Sequence, residues 1–172
     1  MADKTSVIEK SFEPLLGQAP DVLILGTMPS VLSLKTQEYY GNPRNAFWWV
    51  MSELFNFDIS QPYSKRVELL LESRVAVWDV IASCYRPGSL DSKIDQSTVT
   101  PNSLSLLLVQ YPSIRLIAFN GQAAEKLFKK FIDDTDWQGD KITLPSTSPA
   151  NAALKKEDKL SKWLAIRDYL ST

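Results

Sequence analysis

The sequence predicts an α/β domain in which a parallel β-sheet is covered by helices on both faces. Apolar, β-branched runs typical of buried strands alternate along the chain with segments whose apolar residues recur at helical spacing. Such an alternation indicates strands joined by right-handed crossovers into a buried parallel sheet. The 172 residues contain no internal repeat, low-complexity segment or linker. We therefore expect one domain over residues 1–172, with residues 1–20 forming a docked arm or short helix.

Four strands and five helices are predicted. The strands are expected at residues 21–25, 74–82, 114–119 and 141–144. The helices are predicted from apolar stripes that start near Asn45 and at Val67, Leu104, Ala124 and Leu160. A polar segment follows each strand, at residues 26–30, 83–91, 120–121 and 145–151. The carboxyl ends of parallel strands meet at one edge of a sheet, where α/β proteins bind ligands, so these segments are expected to converge on one site.

Composition narrows the chemistry that this site can perform. The chain has no histidine, which excludes Ser-His-Asp and Cys-His nucleophile systems and imidazole metal sites. Its single cysteine, Cys84, cannot form an internal disulfide, and no segment resembles a signal peptide or is long enough to span a bilayer. We therefore expect a cytoplasmic protein without membrane contact. The net charge of −1 gives no broad basic field, so a nucleic-acid partner would be bound by local groups.

The connection between the first strand and the first helix, residues 26–48, is the strongest candidate for function. Loops longer than about 12 to 15 residues in a compact domain are usually functional or disordered, and the aromatic residues here favour order. Residues 26–30 lack the spacing of a dinucleotide fingerprint and the Gly-Lys-Ser/Thr of a phosphate loop. The three hydroxyls of residues 146–148 suit a phosphate, although an ordinary Ser/Pro turn is the commoner explanation of such a segment.

Several short motifs occur together, in one order along the chain. They are Gly26-Thr27-Met28-Pro29-Ser30, Gln37, Tyr39-Tyr40, residues 43–48 (Pro-Arg-Asn-Ala-Phe-Trp), residues 78–84 (Trp-Asp-Val-Ile-Ala-Ser-Cys), residues 86–91 (Arg-Pro-Gly-Ser-Leu-Asp), Phe119-Asn120-Gly121 and residues 145–151 (Pro-Ser-Thr-Ser-Pro-Ala-Asn). Together they resemble the hypoxanthine-DNA glycosylase branch of the uracil-DNA glycosylase superfamily, from about residue 21 to the last helix. The resemblance implies a monomeric three-layer α/β/α sandwich with a short four-stranded parallel sheet, no metal and no organic cofactor. Asn42 stands where the branch commonly has a histidine, and an asparagine cannot titrate.

The resemblance implies a reaction on double- or single-stranded DNA that contains a deaminated base, with hypoxanthine favoured. The base would be flipped out of the stack and its N-glycosidic bond hydrolysed through an oxocarbenium-like state, leaving an abasic site. Two alternatives stay open. One is a uracil- or mismatch-specific glycosylase of the same fold. The other is a non-catalytic α/β module that binds a nucleotide or nucleic acid.

Asn45 is the expected catalytic residue. In mismatch-type relatives a water-positioning asparagine lies in the first motif, where this chain has Met28 or its neighbours, so the resemblance moves that role to Asn45. An asparagine before an apolar helical run is also a good helix N-cap. The two roles compete for the same side-chain oxygen.

Base-contacting residues are expected on three of the motifs. Tyr39 or Tyr40 would stack on the flipped base, with at least one of the two in the core. Asp79 would accept the N1–H of hypoxanthine, and Asn120 or a backbone N–H would donate to O6. Asp79 could equally be a strand-end aspartate that is hydrogen-bonded to the following loop. The remaining base-site residues that the resemblance implies are Gly26 and Met28.

DNA-backbone contacts are expected mainly from the loop of residues 145–151. Ser146 and Ser148 would bind the backbone, and the loop as far as Asn151 would press into the minor groove. The candidate phosphate contacts are Arg44 and Arg86, with a small basic cluster at Lys155, Lys156 and Lys159 beside the loop. Cys84 is interpreted as structural.

Overall fold

The computed structural model describes residues 8–171. Its seven strands are β1 (Ile8–Lys10), β2 (Val22–Gly26), β3 (Val75–Asp79), β4 (Ile81–Tyr85), β5 (Asp95–Pro101), β6 (Leu116–Asn120) and β7 (Asp140–Leu144). Its six α-helices are α1 (Val31–Thr36), α2 (Phe47–Phe55), α3 (Tyr63–Glu72), α4 (Leu104–Gln110), α5 (Gln122–Phe131) and α6 (Lys156–Trp163). Two 3₁₀ segments lie at Asp91–Lys93 and Leu164–Tyr169.

The central sheet has the strand order β3-β2-β6-β7, and all of its neighbouring strands are parallel. Side chains of β2 alternate between two apolar clusters, Val22 and Ile24 on one face and Leu23 and Leu25 on the other. The first cluster includes side chains of α2, α3 and α6, and the second includes side chains of α4 and α5. The predicted four-stranded parallel sheet between two helical layers is confirmed.

A second, three-stranded antiparallel sheet of order β1-β4-β5 was not predicted from the sequence. The prediction of a single strand at residues 74–82 is wrong. The chain leaves the central sheet after Asp79 and enters the second sheet at Ile81. The N–H groups of Val80 and Ile81 donate to the carbonyls of Gly26 and Thr27, respectively. These bonds stabilise the bend between β3 and β4. Both side chains are fully buried, so the apolar run continues through the break.

Residues 8–20 lie along both sheets. Strand β1 pairs with β4, with Glu9 opposite Cys84, and Leu15 forms a bridge with Val77 in β3. The part of the expected arm at residues 1–7 lies outside the described residues. Within residues 8–171, no helix is long and apolar enough to cross a membrane.

Candidate active site

The polar segments at the carboxyl edge of the central sheet surround an open pocket of about 590 Å³. The structure places all but one of the predicted site residues in its lining: Gly26, Met28, Tyr39, Tyr40, Arg44, Asn45, Asp79, Asn120, Ser146, Ser148 and Asn151. The exception is Arg86, whose side chain is buried elsewhere. The pocket volume is within the usual range for small-molecule sites, about 300 to 1,000 Å³.

Gly26, Asp79 and Tyr40 meet at the inner end of the pocket. Gly26 ends β2 and is paired with Asp79, which ends β3. A Cβ atom on residue 26 would lie 2.6 Å from Asp79 Oδ1 and 3.1 Å from the Tyr40 hydroxyl. A glycine is therefore required here, and it lets a carboxyl group and a phenol approach the same point of the backbone.

Asp79 is a buried acid without a complete set of hydrogen bonds. Its residue is 4% exposed, and its Oδ2 has no hydrogen-bond partner among the described residues. Burial raises the pKa of the carboxyl to about 7; the charge of Asp91 adds to the rise, and that of Arg86 opposes it. The backbone carbonyl of Asp79 accepts from Asn102 Nδ2, just after β5, at 2.8 Å.

The two adjacent tyrosines have different environments. The Tyr39 hydroxyl donates to the Glu13 carbonyl at 2.8 Å, and its residue is 4% exposed, so this tyrosine is part of the core. Tyr40 adopts a left-handed backbone with φ of 55° and stacks on Phe47 at 3.9 Å between ring centroids. Its buried hydroxyl makes no hydrogen bond of ordinary geometry to a described residue, although the Asn120 side chain lies close to it. Burial raises the pKa of Tyr40 and the nearby Asp79 charge raises it further, while the neighbouring Asn120 side chain opposes the rise, so the phenol stays protonated at neutral pH.

Asn45 contributes its side chain to both the pocket and the start of α2. The N-cap position of α2 is Ala46, which makes no side-chain capping bond; Asn45, one residue earlier, supplies one instead, because its Oδ1 accepts the N–H of Phe47 at 2.9 Å, and this bond competes with water positioning. An amide oxygen has two lone pairs, so one acceptor position remains for a water molecule. Neighbouring Arg44 is exposed at the pocket mouth, and its N–H donates to Asn42 Oδ1 at 3.0 Å.

Thr147, which the sequence suggested only as one of three hydroxyls suited to a phosphate, joins three segments of the site. Its Oγ1 accepts from Asn120 Nδ2 at 2.9 Å, and its N–H donates to Asn120 Oδ1 at 2.9 Å. Its carbonyl accepts the N–H of Ala46 at 2.9 Å. Half of the hydrogen-bonding capacity of the Asn120 amide, one donor and one acceptor position, is therefore used by Thr147. Contact between Asn120 and a base stays a prediction.

The 145–151 loop is held in shape by its own side chains. Ser146 Oγ accepts the N–H of Ser148 at 3.2 Å, and Asn151 Nδ2 donates to the Ser146 carbonyl at 3.2 Å. Gly121 lies beneath it with φ of 99°, and a Cβ there would lie 3.0 Å from that of Ser146. Lys159 is 5% exposed and donates to the Ser148 carbonyl at 3.4 Å, so it supports the loop from inside the protein. The expected basic cluster therefore does not include this lysine.

The placement of Arg86 differs from the expected phosphate contact. Its side chain is 0% exposed, and Nη2 donates to Glu9 Oε2 at 2.8 Å and to the Pro29 carbonyl at 2.5 Å. The guanidinium lies between β1 and the 26–30 loop, where a DNA phosphate cannot reach it. Strand β1 is not predicted from the sequence, so the burial of this arginine could not be anticipated.

Two further links tie the 26–33 and 83–91 segments together. The Thr27 hydroxyl donates to Asp91 Oδ1 at 2.6 Å, and the N–H of Val31 donates to Ser89 Oγ at 2.9 Å. Burial raises the pKa of Asp91, opposed by the Thr27 hydrogen bond and by the Arg86 charge. Asp91 thus brings a second carboxyl group to the pocket lining. Among residues 8–171, no group of three or more Cys, Asp or Glu side chains is placed to hold a metal ion.

These features define a class of protein: an α/β/α domain with an open polar pocket, without histidine, at the carboxyl edge of a short parallel sheet. The family model described as "Uracil DNA glycosylase superfamily" matches residues 14–169, and the chain belongs to this superfamily. The predicted family and fold class are confirmed.

The most similar relatives considered have more specific names. The chain is 35% identical over 164 residues to the hypoxanthine DNA glycosylase of Methanosarcina acetivorans, covering 93% of this chain and 98% of the relative. It is 32% identical over 115 residues to the hypoxanthine DNA glycosylase of Methanosarcina barkeri, covering 66% and 72%. A solution NMR structure from Methanosarcina acetivorans, assigned to the uracil DNA glycosylases, aligns with a TM-score of 0.75 at 35% identity over 92% of this chain and 96% of that chain. The expected enzyme class, a DNA N-glycosylase, is confirmed.

Proposed function

We propose that the protein is a monofunctional glycosylase that flips hypoxanthine out of double- or single-stranded DNA and hydrolyses its N-glycosidic bond. It would act as a cytoplasmic monomer and leave an abasic site. The observation that carries the proposal is the pair of buried polar groups beside Gly26, the Asp79 carboxyl and the Tyr40 hydroxyl. Two relatives that bear the name hypoxanthine DNA glycosylase support it.

The hydrogen-bonding edge of hypoxanthine matches this pair. The base presents an N1–H donor beside an O6 acceptor. An ionised Asp79 accepts the N1–H, and the Tyr40 hydroxyl, which burial keeps protonated, donates to O6. The phenol thereby offsets the repulsion between the carboxylate and O6. It is better suited than Asn120, whose amide is bonded to Thr147.

The same contacts favour the departure of the base. Cleavage passes through an oxocarbenium-like state, with positive charge on the sugar and negative charge on the leaving base. A hydrogen bond from Tyr40 to O6 strengthens as that negative charge develops. Asn45 at the mouth of the pocket holds the attacking water through its second lone pair, while the first continues to cap α2.

The DNA backbone would run across the 145–151 loop. Ser146, Ser148 and Asn151 line the pocket from this loop, and Arg44 is exposed on the neighbouring segment as a phosphate contact. The compact hydrogen bonding of the loop favours a fixed surface that supports the extrahelical nucleotide.

A base-release assay tests the proposal. Oligonucleotides with a single hypoxanthine, uracil, xanthine or thymine, in single and double strands, are incubated with the protein, and abasic products are cleaved with alkali. We expect fastest release of hypoxanthine. Faster release of uracil would favour the alternative of a uracil-specific enzyme, and no release from any substrate would refute the proposal.

Asn45 variants separate its two roles. Asn45→Ala is expected to lower single-turnover cleavage by about 100- to 1,000-fold. It also removes the cap, which costs about 1 kcal/mol. The matched variant Asn45→Ser keeps a capping oxygen and removes the amide, so it should retain stability and still lose cleavage. Wild-type cleavage by Asn45→Ser would show that capping is the only role of this residue.

A further inference from the structure

Arg86 is a buried cation just behind the pocket lining. Its side chain is fully buried. One nitrogen, Nη2, donates hydrogen bonds both to the Glu9 carboxylate and to the Pro29 carbonyl. Nε and Nη1 are buried without a hydrogen-bond partner in the described part of the chain. An arginine has five N–H donors, so three of them are unused.

This arrangement is expensive for the folded state. Removing a guanidinium from water costs several kcal/mol, and one ion pair seldom compensates for it. Buried donors without partners add to that cost. A well-packed apolar side chain at residue 86 would often be no less stable, so stability alone does not explain the arginine.

The surroundings of Arg86 connect it to the pocket in two ways. Its hydrogen bond to Pro29 holds the backbone of the 26–30 loop, and Met28 and Pro29 both line the pocket. Its positive charge also acts on the two pocket carboxyls, because it lowers the pKa of both Asp79 and Asp91 against the effect of burial. The charged groups around it are thus one direct partner, Glu9, and two pocket acids.

We infer that Arg86 is a positioning residue for base excision: anchored by Glu9, it fixes the 26–30 loop and supplies a positive charge behind the Asp79 carboxylate. The inference rests on the proposed function. During cleavage the departing base becomes negative beside an anionic Asp79, and a fixed cation behind that carboxylate reduces the repulsion. Arg86 acts through Asp79 and the loop backbone and touches neither the base nor the DNA.

The role extends to the N-terminal strand. Glu9 lies in β1, which pairs with β4, and its carboxylate is the only charged hydrogen-bond partner of Arg86 among the described residues. Residues 8–10 do not line the pocket, yet Glu9 holds Arg86 in the position from which it acts on the pocket. An N-terminal segment without a direct contact is thereby coupled to catalysis.

Arg86→Met, of similar length but uncharged, tests the inference, with Arg74→Met as the matched control. Arg74 also pairs with an acid, Asp21, but at the opposite end of the strands and with a side chain that is 37% exposed. Two readouts are used: the titration midpoint of the Asp79 carboxyl by ¹³C NMR on DNA-free protein, and single-turnover release of hypoxanthine against pH. Arg86→Met should move the Asp79 midpoint to higher pH and slow release by about 10- to 100-fold. Arg74→Met should change neither.

The outcomes that overturn the inference are distinct from failure of the proposed function. An unchanged Asp79 midpoint in Arg86→Met, or wild-type release by this variant, would overturn it, and absence of release by the wild type would refute the function alone. A smaller salt dependence of abasic-DNA binding by Arg86→Met would also overturn it, because it indicates a phosphate contact. If Arg86→Met does not fold, Arg86→Lys decides: it should keep the Asp79 midpoint near the wild-type pH while slowing release, and wild-type release would count against the inference.

Discussion

A buried aspartate lies at each end of the parallel strands of the central sheet, and the hydrogen bonding of the two aspartates is opposite. Asp21, at the amino edge, is 2% exposed and receives two hydrogen bonds from Arg74, at 2.7 and 3.2 Å, and one from the N–H of Ser171 at 2.7 Å. Asp79, at the carboxyl edge, is 4% exposed and has an oxygen with no partner in the described chain. Burial acts to raise the pKa of both acids. At Asp21 the hydrogen bonds from Arg74 and Ser171 outweigh it and lower the pKa, whereas at Asp79 the pKa rises to about 7.

The difference indicates what each aspartate is for. Asp21 ties the start of β2 to the start of β3 and to the C-terminal segment, and its charge is fully satisfied. Asp79 keeps an unused acceptor inside a pocket, at a cost to stability that a purely structural residue would not carry. An incoming base that completes its hydrogen bonds recovers part of that cost on binding.

Exchanging each aspartate for asparagine should separate the two roles, and it gives the largest expected effect. Asp79→Asn removes the negative charge and replaces one of the two acceptor oxygens by an amide donor, so hypoxanthine release should fall by about 100-fold or more. Its stability at pH 8 should rise or stay unchanged, because the buried charge is removed. Asp21→Asn should release hypoxanthine at the wild-type rate and lose about 1 to 2 kcal/mol of unfolding free energy. The measurements are single-turnover kinetics and urea unfolding. Equal loss of activity in both variants would abolish the distinction.

The pH dependence of stability offers the second test. The pKa of Asp79 in the folded protein, about 7, lies above the unfolded value of about 3.9. Below both values the carboxyl is protonated in both states, and as the pH rises the unfolded chain loses this proton first. The contribution of Asp79 to the free energy of unfolding therefore falls until about pH 7, by about 2 to 3 kcal/mol between pH 5 and pH 8, and Asp91, whose pKa burial also raises, contributes with the same sign.

Asp21 contributes with the opposite sign. Its lowered pKa gives stability that is present above the unfolded value and is lost as the pH falls through the folded value. Asp79→Asn should therefore flatten the profile between pH 5 and pH 8, and Asp21→Asn should flatten it only in acid. Urea unfolding from acid to pH 8 measures both effects. A wild-type slope that persists in Asp79→Asn would place the proton uptake on another group.

The sequence predicts the central sheet well because three of its four strands, β2, β3 and β6, are buried on both faces and read as continuous apolar runs. The second sheet is missed for a related reason, because its strand β4 continues the apolar run of β3. Val80 and Ile81 are as apolar as the residues before them, so the change from one sheet to the other leaves no mark on the pattern. Strand β5 (Asp95–Pro101) is largely polar and lies at an edge, without the apolar alternation that identifies a strand.

The location of the candidate site is also predictable, because parallel strands bring the segments after their carboxyl ends together. The partners of individual side chains are not. Arg44 and Arg86 look alike in the sequence, yet one is exposed at the pocket and the other is buried against Glu9, 77 residues away along the chain. Thr147 joins three segments through bonds that have no sequence pattern. Such pairings depend on tertiary geometry rather than on residue type.

The adjacent tyrosines repeat the comparison of the aspartates on a smaller scale and give the smallest expected effect. Tyr39→Phe removes a hydrogen bond to the Glu13 carbonyl and should cost about 1 kcal/mol of stability without changing hypoxanthine release. Tyr40→Phe removes a hydroxyl that makes no hydrogen bond of ordinary geometry to a described residue, so stability should stay within about 0.5 kcal/mol of the wild type. Release should slow by about tenfold, since the donor to O6 is lost. Thermal unfolding and single-turnover assays measure both variants. A Tyr40→Phe protein that is less stable and fully active would show that its hydroxyl has a structural role.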